Sequence, residues 1–113
     1  MIIEIPNYKL PSWNKIYSSG HWRTRHKIAK EVHEFIKAST PNKMIKGIVD
    51  ITIHQHYKHK RRHDSDNITH KLVIDSLCGR VIKDDDTRYV RDVTTRAIIG
   101  CDEDKLIITI TNV

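Results

Sequence analysis

Residues 58–86, KHKRRHDSDNITHKLVIDSLCGRVIKDDD, constrain the fold of this 113-residue chain more than any other stretch. Lys58-His59-Lys60-Arg61-Arg62-His63 is too densely charged to be buried without partners, and Asp84-Asp85-Asp86 repel one another, so both ends of the stretch belong at the surface. Between them lies a short amphipathic segment. Asp64-Ser65-Asp66-Asn67 suits a turn or a helix start, and Ile68, Leu72, Val73 and Leu77 recur at helical spacing, which predicts a helix from about Asn67 to Cys78, ended by Gly79. The remaining core must come from the chain on either side.

On the N-terminal side, Met1 to Ile5 reads as a short strand, and Pro6 and Pro11 hold a loop through Ser12, Trp13 and Asn14. Trp13, Asn14, Lys15 and Tyr17 are candidates for stacking on and hydrogen bonding to DNA, or equally a buried Trp and a turn Asn. From His21 to Ala38, Trp22, Ile28, Ala29, Val32, Phe35 and Ile36 predict one apolar helical face, opposite a basic face of Arg23, Arg25, Lys27 and Lys30. Ser39-Thr40-Pro41-Asn42 stops that helix. Ile45 to Tyr57 alternates as a half-buried strand, with Val49, Ile51, Ile53 and Tyr57 on one face and Asp50, Thr52, His54 and His56 on the other. Histidines alternating along the exposed face of a strand are read as solvated rather than as metal ligands.

On the C-terminal side, Tyr89 to Ile99 and Lys105 to Val113 read as strands. The polar connection from Gly100 to Asp104 is short enough for a hairpin. The last strand is apolar enough to be covered on both faces. The order strand, helix, strand, helix, strand, strand predicts an α+β fold in one domain, residues 1–113, with two main helices packed on one face of a mixed sheet.

Twenty Lys and Arg against fourteen Asp and Glu leave a formal net charge of +6, which favours a polyanionic partner, nucleic acid first. Cys78 and Cys101 stand far apart with no CxxC or Cys/His pattern, which excludes a zinc motif and a disulfide framework and leaves two ordinary buried thiols. The opening MIIEIPNYKL lacks a positive start followed by a long apolar run, and no segment approaches the roughly 18 apolar residues of a membrane span. A soluble, cytoplasmic protein with no membrane partner is expected.

Asp64 and Asp66, two residues apart, present carboxylates to the same side of an extended or turn-like segment. The acidic triplet meets them if the chain after the helix returns alongside the helix start; a helix of about twelve residues is roughly 18 Å long, and six extended residues cover that distance. Two or three aspartates with a phosphate oxygen suit magnesium, which polarises a phosphoryl oxygen and lowers the pKa of a bound water. An ammonium nearby, for which Lys71 is the candidate, stabilises the developing negative charge. The structural alternative is a turn and a helix cap at Asp64 and Asp66, an exposed acidic loop and a solvated lysine.

Beyond these local patterns, DSDN, Lys71, Asp75 in IDSL and the VIKDDD segment, in that order, resemble the RusA-type Holliday junction resolvases, and PSWNKIY, Pro11 to Tyr17, is similar to that family's N-terminal P-S-x-N-x-x-Y segment. The resemblance spans residues 11–86 and implies a RusA-like fold. It also implies a homodimer with two active sites, each nicking one of two opposed strands of a four-way junction in recombination and repair. Carried over position by position, it makes Asp64, Asp66 and Asp85 the ligands of magnesium, with manganese as a substitute, and Lys71 the catalytic lysine. Asp84 or Asp86 replaces Asp85 if the turn is shifted, and counting from Asn67 rather than from Asp75 puts His70 in the lysine position. Asn14, Lys15, Lys60, Arg61 and Arg62 would then hold branched DNA. Two other readings fit the same residues, a catalytically inert basic DNA-binding module and a nuclease for other branched DNA.

Overall fold

Alternation of Ile3 and Ile5 against exposed neighbours makes a first strand, β1 (Ile2–Pro6), and the same period of two makes β2 (Val49–His56) and β4 (Lys105–Asn112), while β3 (Val90–Ile98) buries only its first residue fully. These strands and three helices, α1 (Trp13–Ser18), α2 (Trp22–Ser39) and α3 (His70–Leu77), make up the computed structural model, which describes residues 1–18, 21–61 and 68–113. The fold is α+β, with a four-stranded mixed sheet in the order β1-β4-β2-β3. β4 runs antiparallel to both β1 and β2, and β2 runs parallel to β3.

One face of the sheet carries the core. Ile3, Ile5, Val49, Ile51, Ile53, Leu106, Ile108 and Ile110 point to the same side and meet Val32 and Ile36 of α2 and Val73, Ile74 and Leu77 of α3. Fully buried side chains such as Ile36, Ile53 and Leu77 each contribute about 1.5–3 kcal/mol relative to exposure. The helices thus lie on one face, as the alternation in β2 predicts.

Several expectations are corrected. No hairpin joins the last two strands: β4 lies between β1 and β2, and β3 pairs with β2 on its other side. A short polar connection permits a hairpin, but an apolar strand such as β4 gains more as an interior strand, where both edges are hydrogen-bonded. β4 buries Leu106, Ile108 and Ile110 on one face only, and Ile107 and Thr109 on the other are half-buried. The segment after Pro11 is not a loop, because Ser12 caps α1: its hydroxyl oxygen accepts from the Lys15 amide at 3.1 Å and its carbonyl from the Ile16 amide at 3.1 Å.

β2 begins at Val49 rather than Ile45, after Gly47 takes a left-handed φ of 86°. α2 buries Val32 and Ile36, but Trp22 and Phe35 are exposed, Trp22 by 62%. Trp22 opens the helix and extends past the sheet, while Phe35 stacks on Tyr8 with ring centroids 4.6 Å apart. Both cysteines are half-buried free thiols. No helix among the described residues is long and apolar enough to cross a membrane.

Candidate functional site

α3 is the element on which the candidate residues are arranged. It begins at His70, not near Asn67, with Thr69 at its N-cap, so Lys71 belongs to its first turn and Asp66 lies four residues ahead of the helix start in sequence. The Thr69 hydroxyl does not cap the helix; it donates to the Pro11 carbonyl at 3.0 Å and ties the PSWN segment to the start of α3. From the other side, Gln55, fully buried in β2, holds the preceding residues. Its carbonyl oxygen accepts from the Leu10 amide at 3.0 Å, and its amide nitrogen donates to the carbonyls of Tyr8 at 2.8 Å and Lys105 at 3.1 Å. A buried amide with its polar atoms satisfied is a rigid anchor. Sequence reasoning missed Gln55, although its position on the inward face of an alternating strand was the available signal.

These ties bring α1 against the N-terminal ends of α2 and α3. Trp13 stacks on Tyr17 with centroids 5.9 Å apart and meets His70 edge-on at 6.5 Å. Trp13, Tyr17, Trp22, Arg25, His26, Lys71 and Asp75 line one hollow of about 560 Å³. Lys71 and Asp75, one helical turn apart, share its wall. A second hollow, about 600 Å³, brings Lys15 together with His59 and Arg61, the start of the basic run. That run is pinned to the β3–β4 connection: the Gly100 amide donates to the His59 carbonyl at 2.8 Å, and the Lys58 amide to the Asp104 carboxylate at 2.9 Å. Asn14, Lys15, Lys60 and Arg61 are all exposed. Arg62, with Asp64 and Asp66, lies outside the described residues.

The acidic triplet does not return to the start of α3. α3 ends where the Cys78 amide donates to the Ile74 carbonyl, and Gly79, at φ 78°, reverses the chain with its amide on the Ile82 carbonyl at 2.7 Å. Residues 83–89 then lead to β3, whose first residue Val90 lies beside Val49, the first of β2. Parallel strands demand this: the crossover must carry the chain back to the level where β2 began. Asp84 and Asp85 therefore stand near the C-terminal end of α3. There burial, then the charges of Asp85, Asp75 and Asp84, push the Cys78 thiol up to about 11. Lys71 is seven residues back along the same helix, roughly 10 Å of rise.

The three aspartates of the triplet differ in commitment. Asp86 accepts two bonds from the Arg88 guanidinium, at 3.0 and 2.8 Å, and this pairing holds its carboxyl below the usual range. Asp84 accepts from the Asp85 amide at 2.8 Å. Asp85 is exposed, and no hydrogen bond to its carboxylate is found among the described residues. Of the three, it is the one with both carboxylate oxygens free of hydrogen bonds among the described residues. Asp75, named from sequence only as a spacing anchor, proves to be half-buried and close enough to act on both Cys78 and His33. Among the described residues, no three His, Cys, Asp or Glu side chains are grouped to hold a metal ion. Comparison with protein-family models gives no match, and neither does comparison with curated proteins.

Proposed function

We propose that the chain is a magnesium-dependent, structure-selective endodeoxyribonuclease that resolves Holliday junctions as a homodimer, by paired nicks in opposed strands. The observation that carries this reading is the gathering of Asp75, Asp84 and Asp85 about the C-terminal end of the helix that bears Lys71, with no hydrogen bond to the Asp85 carboxylate among the described residues. Hard carboxylate oxygens are the donor set magnesium takes. The ligands the resemblance implies are Asp64, Asp66 and Asp85, although the described fold sets Asp85 at the end of α3 away from Lys71. When bound, magnesium polarises the scissile phosphate and lowers the pKa of the attacking water.

The chain's own groups do the rest. The exposed Lys71 ammonium, in the first turn of a helix whose start is tied to Pro11 through Thr69, would neutralise charge on the phosphate as water bonds to phosphorus and loses its proton to solvent, while the bridging P–O bond breaks and the leaving oxygen takes up a proton. Lys15 and Arg61, with the neighbouring Lys60, engage flanking phosphates, which position the junction without reading its sequence.

Purified protein with magnesium is expected to cut a synthetic four-way junction into nicked duplexes. Asp66→Asn, Asp85→Asn and Lys71→Ala should each lose about two to three orders of magnitude in rate. The two Asn variants should still bind the junction, because removing a carboxylate lessens repulsion of phosphate. Asp86→Asn, whose parent carboxylate serves Arg88, should cut normally. A second reading, an inert DNA-binding module, is favoured by the position of Asp85 at the end of α3 away from the helix start, which Asp64 and Asp66 precede in sequence. Junction binding by the wild type without magnesium-dependent cutting would establish it instead.

A further inference from the structure

The hollow at the N-terminal ends of the three helices joins two properties that seldom coincide on a surface. Its aromatic side chains are exposed, Tyr17 by 59% and Trp22 by 62%, although burying such rings would ordinarily be favourable. Cations are also laid against those rings: the Arg25 guanidinium lies 5.7 Å from the Tyr17 centroid and that of Arg23 lies 5.6 Å from the Trp22 centroid. Lys71 and His26 complete the rim, and Asp75 lies on the wall. A lipid surface would want a broader apolar face, and an acidic peptide would leave the rings unused. Solvent-exposed rings overlain by guanidinium groups suit a flat heterocycle carrying a phosphate, whose base would take the guanidinium's place on a ring while its phosphate holds the displaced cation, and the net charge of +6 draws in the same polyanion.

We propose that this hollow binds one unpaired DNA base, stacked on the aromatic cluster of Trp13, Tyr17 and Trp22, with its flanking phosphates on Arg25 and Lys71. The volume of about 560 Å³ is within the roughly 300–1,000 Å³ of small-ligand pockets and admits a single nucleotide. Asp75 disfavours a phosphate on its side of the wall and offers an acceptor to the N–H edge of the base, which orients the nucleotide with its sugar-phosphate toward the cations. The hollow shares Lys71 with the proposed catalytic site, so a base held here would fix the unpaired strand next to the scissile phosphate. The inference rests on DNA as the partner and on no cleavage step.

The two tryptophans of the chain, Trp13 and Trp22, both line the hollow, so fluorescence excited selectively at tryptophan reports on this place alone. Titration with an eight-residue thymidine oligomer in EDTA, where cutting plays no part, should quench that fluorescence to saturation. Tyr17→Ala and Trp22→Ala, both at exposed positions, should weaken binding by about 5- to 150-fold each, and Tyr17→Phe should restore it. An abasic oligomer of the same length should bind more weakly and leave the fluorescence unchanged. Equal affinity for the abasic oligomer, or variants that bind as the wild type does, would overturn the proposal and leave only phosphate attraction. So would a fluorescence change that follows protein concentration without DNA, which would mean that a second copy covers the hollow. A protein that quenches here but cuts no junction refutes the nuclease reading alone, and one that cuts without quenching refutes this one alone.

Discussion

Asp84, Asp85 and Asp86 are adjacent in the chain and have three different roles, set by what each carboxylate touches. Asp86 is taken by Arg88 and Asp84 by the turn, which leaves Asp85 for a ligand. Cys78 senses this cluster, since repulsion from Asp85, Asp75 and Asp84 adds to burial in raising its thiol to about 11. A cation bound at Asp85 would cancel part of that repulsion and lower the thiol pKa, so magnesium is expected to speed alkylation of Cys78 at pH 8 while Cys101 is unaffected. Mass spectrometry of the two cysteines with and without magnesium checks this, and equal Cys78 rates would count against the site. Asp50 offers a second test. Arg91 bonds its carboxylate at 3.1 and 2.6 Å and, with the Asp92 amide, holds it below the ordinary value of 3.8. A depressed carboxylate stabilises the fold fully above its unfolded pKa and loses that contribution as pH falls through the folded value. Asp50→Asn should therefore unfold at lower denaturant than the wild type at pH 6, with the difference closing only below pH 3.8.

At the level of elements, the position of the PSWNKIY segment is decided by two distant side chains. Gln55 binds the backbone ahead of it and Thr69 binds Pro11, so a strand and a helix start, both far away in sequence, hold α1 where its aromatic residues meet Lys71. Gln55→Leu keeps the volume but leaves the Leu10 amide and the Tyr8 and Lys105 carbonyls without their partner. It should cost about 2–3 kcal/mol in chemical denaturation. Hydrogen exchange should also rise at Leu10 more than in β4. β2, β4 and α2 were legible because their periods are regular. α1 was obscured by its length of six residues and by the prolines before it, and only the Ser12 cap reveals it. The start of α3 was misread because Asp66 and Asn67 are good cap residues by type, whereas the helix begins after Thr69. A side chain's fitness for a role does not establish that the backbone takes it there.

For the whole molecule, the net charge of +6 would make the proposed DNA affinity a question of salt. Replacing Lys60 and Arg61 together by Glu should weaken junction binding, and the slope of log affinity against log salt should become shallower by about 0.9 for each phosphate no longer neutralised. An unchanged slope would remove these residues from the interface. The α+β class, the inward faces of β2 and α2, the surface charge of residues 58–61 and the exposure of the acidic triplet all follow from sequence, because burial pattern and charge density are properties of neighbouring residues. The strand order was not available there. Whether β4 pairs with β3 or inserts beside β2 depends on which edges remain open once the helices cover the sheet. That competition is among segments distant in the chain. The same topology decided the site: because β2 and β3 are parallel, the chain after α3 must travel to the start of β2, and this brings Asp84 and Asp85 to the far end of the helix from Lys71. Spacing showed which residue types suit the proposed chemistry, and only the pairing of strands determined which of them lie together.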